Sequence, residues 1–175
     1  MIEIALRSFL TLLVVVDPVG IAPVYLGLVE GRPEQERRRI ARRAVVVAGV
    51  VLFGFALGGA WLLEQLGISM DAFRIAGGIL LFRIAVGMVM AAPHERETKE
   101  EEEESRSRPD VSVFPLAIPL IAGPGSMASM MILVGQAGKD LRALAIVFAM
   151  TGAVLALTWL ALLLSTTLGR VLRCT

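Results

Sequence analysis

Charged residues are segregated along the chain, and five long apolar stretches lie between them. Each stretch is 18–24 residues long and carries at most one charged side chain. A helix needs about 20 residues to cross the ~30 Å hydrocarbon core of a bilayer, so each stretch is long enough to span it. The stretches cover residues 8–29, 44–63, 75–92, 111–134 and 143–164. This pattern predicts an all-α, polytopic helical membrane protein with five spans.

The composition excludes most classes of soluble protein. Hydrophobic residues make up 56% of the 175-residue chain, against about 45–50% in a soluble domain, and the mean hydropathy is +0.75. The 17 basic and 16 acidic residues nearly cancel, which argues against a nucleic-acid partner. One cysteine (Cys174) and one histidine (His94) offer no cluster for a metal or a catalytic relay. We therefore expect no cofactor, no metal and no catalytic residue, and hence a protein that is not an enzyme.

Basic residues favour one side of the predicted membrane. The segments after the first, third and fifth stretches carry six, four and two of them, whereas the N-terminus and the loops at residues 64–71 and 135–142 carry three altogether. Cytoplasmic loops of membrane proteins carry an excess of Lys and Arg. We therefore expect the N-terminus outside, with the loops at residues 30–43 and 93–110 in the cytoplasm.

Residues 93–110 form a charged segment between two halves of the chain. The segment holds eight acidic and four basic residues and no large apolar side chain, so it cannot bury a core. We interpret it as a solvated cytoplasmic linker, and a regulatory or ion-binding role for residues 100–104 stays open. It separates a first repeat at residues 1–92 from a second repeat at residues 111–175.

The first and fourth stretches share a pattern of helix breakers. Asp17-Pro18 interrupts the first stretch near its middle, and Gly123-Pro124 interrupts the fourth. In each half the next stretch is uninterrupted and contains one tryptophan. An odd number of crossings separates the two breaks, so the two halves run in opposite directions. We therefore predict an inverted repeat, which is common in secondary transporters.

The two breaks predict a substrate site near the middle of the membrane. Asp at an N-cap and Pro in the first turn favour the start of a helix, so Asp17-Pro18 predicts two half-helices in the first span. Gly123 has no side chain that could cap the second break, which leaves N–H groups free for an anion. An α-amino acid would fit both, unless Pro and Gly only kink the helices for packing. The candidate substrate-binding residues are Asp17, Pro18, Gly20, Gly123, Pro124, Gly125 and Ser126.

Spans two and three carry two intramembrane charges and one packing motif. Arg83 lies near the middle of the third stretch, where a charge is costly and usually has a partner. A salt bridge with Asp17, a contact with a substrate carboxylate or snorkelling to the headgroups would each satisfy it. Arg74 lies at the outer interface, where we expect it to contact headgroups. Gly54 and Gly58 predict close packing of the second span.

Three motifs of the chain resemble the MarC family of bacterial inner-membrane proteins. They are DPVGIAP at residues 17–23, FRIAGGI at 73–79 and PLAIPLIAGPG at 115–125, in the family's order. Family members often have Asn where this chain has Ile21. The family has six spans, so the resemblance implies an inverted three-plus-three helix repeat with the sixth helix missing.

The resemblance also implies a function. The MarC family is classed with neutral amino-acid transporters and is related to the LysE exporter superfamily. It implies an integral inner-membrane, transporter-like protein that moves small neutral amino acids or similar metabolites. The alternative is a non-transporting membrane protein that acts as an assembly or stress-response partner. The expected partners are the lipid bilayer and a small-molecule substrate, with no nucleic acid. Whether the chain forms a homo-oligomer stays open.

Overall fold

The structure, a computed structural model, describes residues 1–89, 111–138 and 140–173. Side chains are described in these ranges except at residues 60, 70, 74, 80, 81, 83–85, 87–89 and 167–173. All regular secondary structure in these ranges is helical. The helices are α1 (Ile2–Val16), α2 (Pro18–Leu28), α3 (Glu34–Gln65), α4 (Met70–Val89), α5 (Ser112–Ile121), α6 (Pro124–Ala137) and α7 (Leu141–Arg173). The predicted all-α class is confirmed.

Several of these helices are long and apolar enough to cross a membrane. Three such segments are Ile2–Leu28, Glu34–Gly59 and Leu141–Thr166. A fourth span results if α5 and α6, which are bent by 55° at a short break, cross together. These findings cover the described ranges and confirm a polytopic helical membrane protein. The predicted third span corresponds to α4 as far as Val89, and the predicted linker at 93–110 lies outside the described residues.

The arginine-rich segment after α2 is helical, which corrects the prediction of a loop over residues 30–43. α3 begins at Glu34, and only residues 29–33 form a turn. Arg38 donates a hydrogen bond to Glu34 at 2.6 Å, and ion pairs four residues apart stabilise a helix. Arg and Glu also have high helix propensity. α3 therefore continues beyond the apolar stretch instead of ending with it.

The core lies around α3 and α7, the two long unbroken helices. α3 packs against α5, α6 and α7, and α7 also packs against α1, α2 and α6. Buried residues recur every three or four positions along one face of α3, which includes Ala41, Ala44, Ala48, Leu52 and Ala56. Small side chains on this face allow close approach of neighbouring helices. On the opposite face, Val50 and Leu57 are 69% and 74% exposed, as expected for contact with lipid.

The predicted glycine motif of α3 does not make the helix contact. Among the described residues, nothing lies within 4 Å of a Cβ placed on Gly54 or Gly58. A Cβ on Gly59, in contrast, would lie 2.6 Å from Met131 Cε of α6. The prediction was wrong because the buried face of α3, which includes Ala56, turns Gly59 inward and the other two glycines outward.

α5 is irregular, which the sequence reasoning did not predict. Phe114 (φ −129°, ψ 129°) and Ile118 (φ −130°, ψ 123°) have extended conformations within it. Each residue precedes a proline, Pro115 or Pro119, and the ring of a following proline disfavours the helical conformation. α5 is therefore interrupted at two positions, whereas α6 is regular.

Tyr25 fastens α2 to the start of α3. Its side chain is fully buried, and its hydroxyl donates a hydrogen bond to the Arg37 carbonyl oxygen at 2.9 Å. Arg37 Nε in turn donates to the Arg32 carbonyl oxygen at 2.8 Å. The turn between the two helices is thus held from both of its ends.

The glycine contact generates a matched pair of variants. Gly59→Leu should lower the free energy of unfolding by about 1–3 kcal/mol, because the added side chain overpacks the contact with Met131. Gly58→Leu should be neutral or stabilising by up to about 1 kcal/mol, because it meets open space and leucine has the higher helix propensity. Unfolding of the purified protein in detergent measures both. Equal losses in the two variants would contradict the packing described for α3.

Candidate functional site

The first span breaks at Asp17, as its sequence predicts. α1 ends at Val16, α2 begins at Pro18, and Asp17 between them has φ 46° and ψ 70°. Among non-glycine residues, Asn and Asp adopt this left-handed conformation most readily. The Asp17 N–H donates to the Leu13 carbonyl oxygen at 3.0 Å and closes α1. Its Oδ1 accepts from the Gly20 N–H at 3.0 Å and caps α2, so one residue ends one helix and starts the next.

Gly20 is required by this cap. A Cβ at position 20 would lie 2.1 Å from Asp17 Oδ2 and 2.8 Å from Asp17 Cγ. Pro18, the first residue of α2, has no N–H group that would need an acceptor. The structure therefore brings these three predicted residues together at one helix N-terminus. Pro18 is buried, Gly20 is exposed, and Asp17 has intermediate exposure.

The second break lies at Gly123, between α5 and α6, again where the sequence predicts it. Gly123 is the N-cap of α6 in an extended conformation (φ −80°, ψ 173°), and Pro124 is the first helical residue. No described side chain caps this N-terminus, so the N–H groups of Gly125 and Ser126 have no acceptor within the helix. A Cβ on Gly123 would lie 2.5 Å from the Pro119 carbonyl oxygen. Steric exclusion thus prevents a capping side chain at this position.

Ser126 bridges the second break. Its Oγ donates a hydrogen bond to the Ile121 carbonyl oxygen at 2.9 Å, and the residue is 3% exposed. The hydroxyl proton is therefore engaged in holding α6 to the end of α5. The oxygen atom keeps its capacity to accept a hydrogen bond from a ligand.

The helix contacts place the two breaks at a similar level in the bundle. α1, which precedes the first break, packs against α6, which follows the second. α2, which follows the first break, contacts α5, which precedes the second. These pairings are the ones expected if α5 and α6 form a second broken span that runs opposite to the first. Within the described part of the chain, no hydrogen bond joins Asp17 directly to residues 123–126.

The two predicted intramembrane arginines lie on α4. This helix packs against α6, and a Cβ on its Gly77 would lie 3.1 Å from the Cβ of Ala128. The side chains of Arg74 and Arg83 lie outside the described residues. The salt bridge between Asp17 and Arg83 therefore stays a prediction.

Two buried hydroxyl groups were missed by the sequence reasoning. Ser8 on α1 and Ser129 on α6 are buried, and neither Oγ has a hydrogen-bond partner among the described residues. A buried hydroxyl in a helix commonly donates to the carbonyl one turn back, as Thr158 does to Val154 at 2.8 Å. An unsatisfied buried polar group costs about 1–3 kcal/mol. α1 ends at the first break and α6 begins at the second, and the two helices are in contact. Both hydroxyl groups therefore lie in helices that flank the breaks.

α7 adds a column of hydroxyl groups to the same interior. Its members are buried and seven residues apart: Thr151, Thr158 and Ser165. Each donates at 2.8 Å to a backbone carbonyl of its own helix, which leaves its oxygen as an acceptor. The seven-residue spacing is visible in the sequence and is the signal that could have identified the column. The described residues contain no group of three or more His, Cys, Asp or Glu that could hold a metal ion.

Comparison with known proteins identifies relatives along the whole chain. A family model described as MarC family integral membrane protein matches residues 2–175. The UPF0056 membrane protein MJ1677 of Methanocaldococcus jannaschii is 38% identical over 130 residues, which cover 74% of this chain and 63% of the relative. YvbG of Bacillus subtilis is 36% identical over 163 residues, or 91% of this chain and 76% of the relative. YhcE of Escherichia coli is 36% identical over 124 residues, or 70% of this chain and 58% of the relative.

The relatives are longer than this chain, which spans just under two thirds of the length of several of them (63–66%). No solved structure matches the chain.

The joint action of Asp17 and Gly20 generates a test of the first break. Gly20→Ala should displace the Asp17 carboxylate from the cap, so it and Asp17→Ala should each lower the free energy of unfolding by about 1 kcal/mol. The free energy of unfolding of the double variant should be little lower than that of Asp17→Ala alone, because both changes remove the same interaction. Gly54→Ala, which meets open space, is the control and should be neutral or stabilising. Fully additive losses in the double variant, measured by unfolding in detergent, would show that Gly20 is not tied to the cap.

Proposed function

Because the chain belongs to the MarC family of integral membrane proteins, we propose that it is a transporter-like protein that binds a small zwitterionic metabolite, such as a neutral amino acid, between its two helix breaks. The observation that carries the proposal is the unlike capping of two half-helices whose breaks lie at a similar level. One N-terminus carries a carboxylate cap, and the other has no side-chain cap. The proposed site consists of Asp17, Pro18, Gly20, Gly123, Pro124, Gly125 and Ser126.

The electrostatics of the two breaks favour a ligand with both charges. A helix N-terminus carries roughly half a positive charge, and an anion there gains about 0.3–1 kcal/mol, or up to ~2 kcal/mol when partly buried. At α6 the N–H groups of Gly125 and Ser126 would bind the carboxylate of the ligand. At α2 that positive end is already occupied by the Asp17 carboxylate, which would bind an ammonium group. A ligand with a single charge would gain favourable electrostatic binding energy at only one of the two breaks.

The pattern of helix contacts supports the inverted repeat that such a transporter requires. In the proposed repeat, α1, α2 and α3 correspond in this order to α5, α6 and α7. The contact of α1 with α7 then has a counterpart in the contact of α5 with α3. Likewise, the contact of α2 with α7 has a counterpart in the contact of α6 with α3. All four contacts occur in the structure. In transporters built from such repeats, the substrate site lies between the repeats, which rock against each other. The repeats proposed here are residues 1–92 and 111–175, joined by the linker at 93–110.

Asp17→Asn separates the cap from the charge and tests the proposed site. An amide oxygen can still cap α2, so we expect near-normal stability. Affinity for neutral amino acids should fall at least about tenfold, because a hydrogen bond to a charged group contributes about 1.5–3 kcal/mol. Thermal-shift titration and proteoliposome uptake with alanine, serine and leucine measure the effect. Amines without a carboxylate, and carboxylic acids without an amine, should stabilise the protein less than amino acids do, because each can bind at only one break.

Asp140→Asn is the matched control for this experiment. Asp140 also accepts a backbone hydrogen bond at a helix start, from the Arg142 N–H at 2.8 Å, but it lies away from both breaks. Equal effects of the two substitutions would place Asp17 outside the binding site. If no amino acid stabilises the wild-type protein and none crosses the bilayer, the result would favour the non-transporting assembly or stress-response partner.

The proposal includes the inner membrane as the location, with the N-terminus outside and residues 30–43 and 93–110 in the cytoplasm. The support is the distribution of basic residues: twelve lie in the loops and terminus on one side, against three in the N-terminus and the loops at 64–71 and 135–142 on the other. Single cysteines in a Cys174→Ser background test it. Glu102→Cys should resist an impermeant maleimide in intact cells and react after permeabilisation, whereas Ile2→Cys should react in intact cells. Labelling of Glu102→Cys in intact cells would show that the protein has the opposite orientation.

A further inference from the structure

A cavity lies at the start of α3, at the opposite end of this helix from the turn that leads to α4. Its volume is about 690 Å³. It is formed by the first turns of α3 and by one side chain of α7. The residues that carry its chemistry are Pro33, Glu36, Arg38, Arg39, Arg42 and Trp159. Three guanidinium groups and one carboxylate give its wall a net positive charge.

The charges in this cavity differ in how far they are already paired. Arg38 donates to Glu34, and Glu36 accepts from Arg32. For Arg39 and Arg42, the described part of the structure records no ion pair or side-chain hydrogen bond. The two residues are three apart on α3, so their side chains lie on one face. The cavity thus presents two guanidinium groups that can bind an anion.

The cavity lies where the apolar part of the bundle begins. Arg42 comes two residues before the charge-free stretch 44–63, and Trp159 comes five residues before the end of the stretch 143–164. Tryptophan is enriched at the membrane–water interface. Below Arg42 on the same face of α3, Val46 and Val50 are 58% and 69% exposed. A basic wall, an interfacial indole and an exposed aliphatic stripe therefore follow one another from water toward the bilayer core.

We propose that this cavity binds the phosphate headgroup of an anionic phospholipid, with an acyl chain lying along Val46 and Val50. Arginine suits a phosphate because its planar guanidinium can donate two parallel hydrogen bonds to it. Basic pockets between transmembrane helices are a recognised form of headgroup site. The aliphatic stripe below the arginines selects a lipid over a free phosphate. The bound lipid would join the first turns of α3 to α7, at a distance from the proposed substrate site.

The test uses the full chain in mixed micelles of detergent with either phosphatidylglycerol or phosphatidylcholine. Thermal unfolding followed against the mole fraction of lipid gives the midpoint of stabilisation. The wild-type protein should be stabilised by phosphatidylglycerol at a lower mole fraction than by phosphatidylcholine. In Arg39→Gln/Arg42→Gln the phosphatidylglycerol midpoint should rise about 30-fold, as expected for two interfacial arginines. Trp159→Leu should raise it by a smaller factor.

The matched control is Arg7→Gln/Arg142→Gln, which removes the same charge from two exposed arginines outside the cavity. Its phosphatidylglycerol midpoint should match that of the wild type. An equal rise in both double variants would assign the effect to overall charge and overturn the site. Inorganic phosphate or glycerol 3-phosphate at millimolar concentration should leave the midpoint unchanged, and competition by either would overturn the choice of a lipid. Unfolding in phosphatidylcholine alone checks that the variants are folded.

Discussion

The hydrocarbon core of a bilayer offers no water to hydrogen-bond the backbone, so N–H and C=O groups there need partners within the protein or in a polar cavity that it encloses. A helix that breaks in mid-membrane exposes several of these groups at once. At the first break Asp17 meets the constraint with both its backbone and its side chain. At the second break the hydroxyl of Ser126 engages one carbonyl across the gap. The unbroken helices α3 and α7 satisfy their own backbones, and both broken spans pack against them.

The two solutions have different electrostatic consequences. The Asp17 cap supplies negative charge to a positive helix end, whereas close approach to the Pro119 carbonyl oxygen keeps Gly123 free of any side chain. The interior around these breaks is not uniformly apolar either, because hydroxyl groups from α1, α6 and α7 are buried in it. The hydroxyl groups of α7 cost little because their own helix satisfies them, and their oxygen atoms stay able to accept hydrogen bonds from a ligand. An interior that contains hydroxyl groups, enclosed by apolar surfaces that face the lipid, is the arrangement that the proposed function needs.

The helix breaks could be predicted from the local sequence, whereas the faces through which the helices pack could not. The breaks at Asp17 and Gly123 depend on residues within three or four positions, and both lie where the sequence places them. The inward glycine of α3 is Gly59, and no spacing rule could select it over Gly58, because the choice depends on which face meets α6. The helical start of α3 was missed because charge was interpreted as a sign of a loop, although Arg and Glu are good helix formers.

The contacts of the first span bear on how the protein is made. α1 and α2 are synthesised first, yet they pack mainly against α6 and α7, which follow α2 after roughly one hundred residues. At the usual rates of protein synthesis, that interval lasts on the order of 10 s. During this time the half-helices, 15 and 11 residues long, have neither their final neighbours nor the length to cross the bilayer separately. The packing around the break at Asp17 is then completed only when the last helices leave the ribosome, so the first span to be made is among the last to reach its final form.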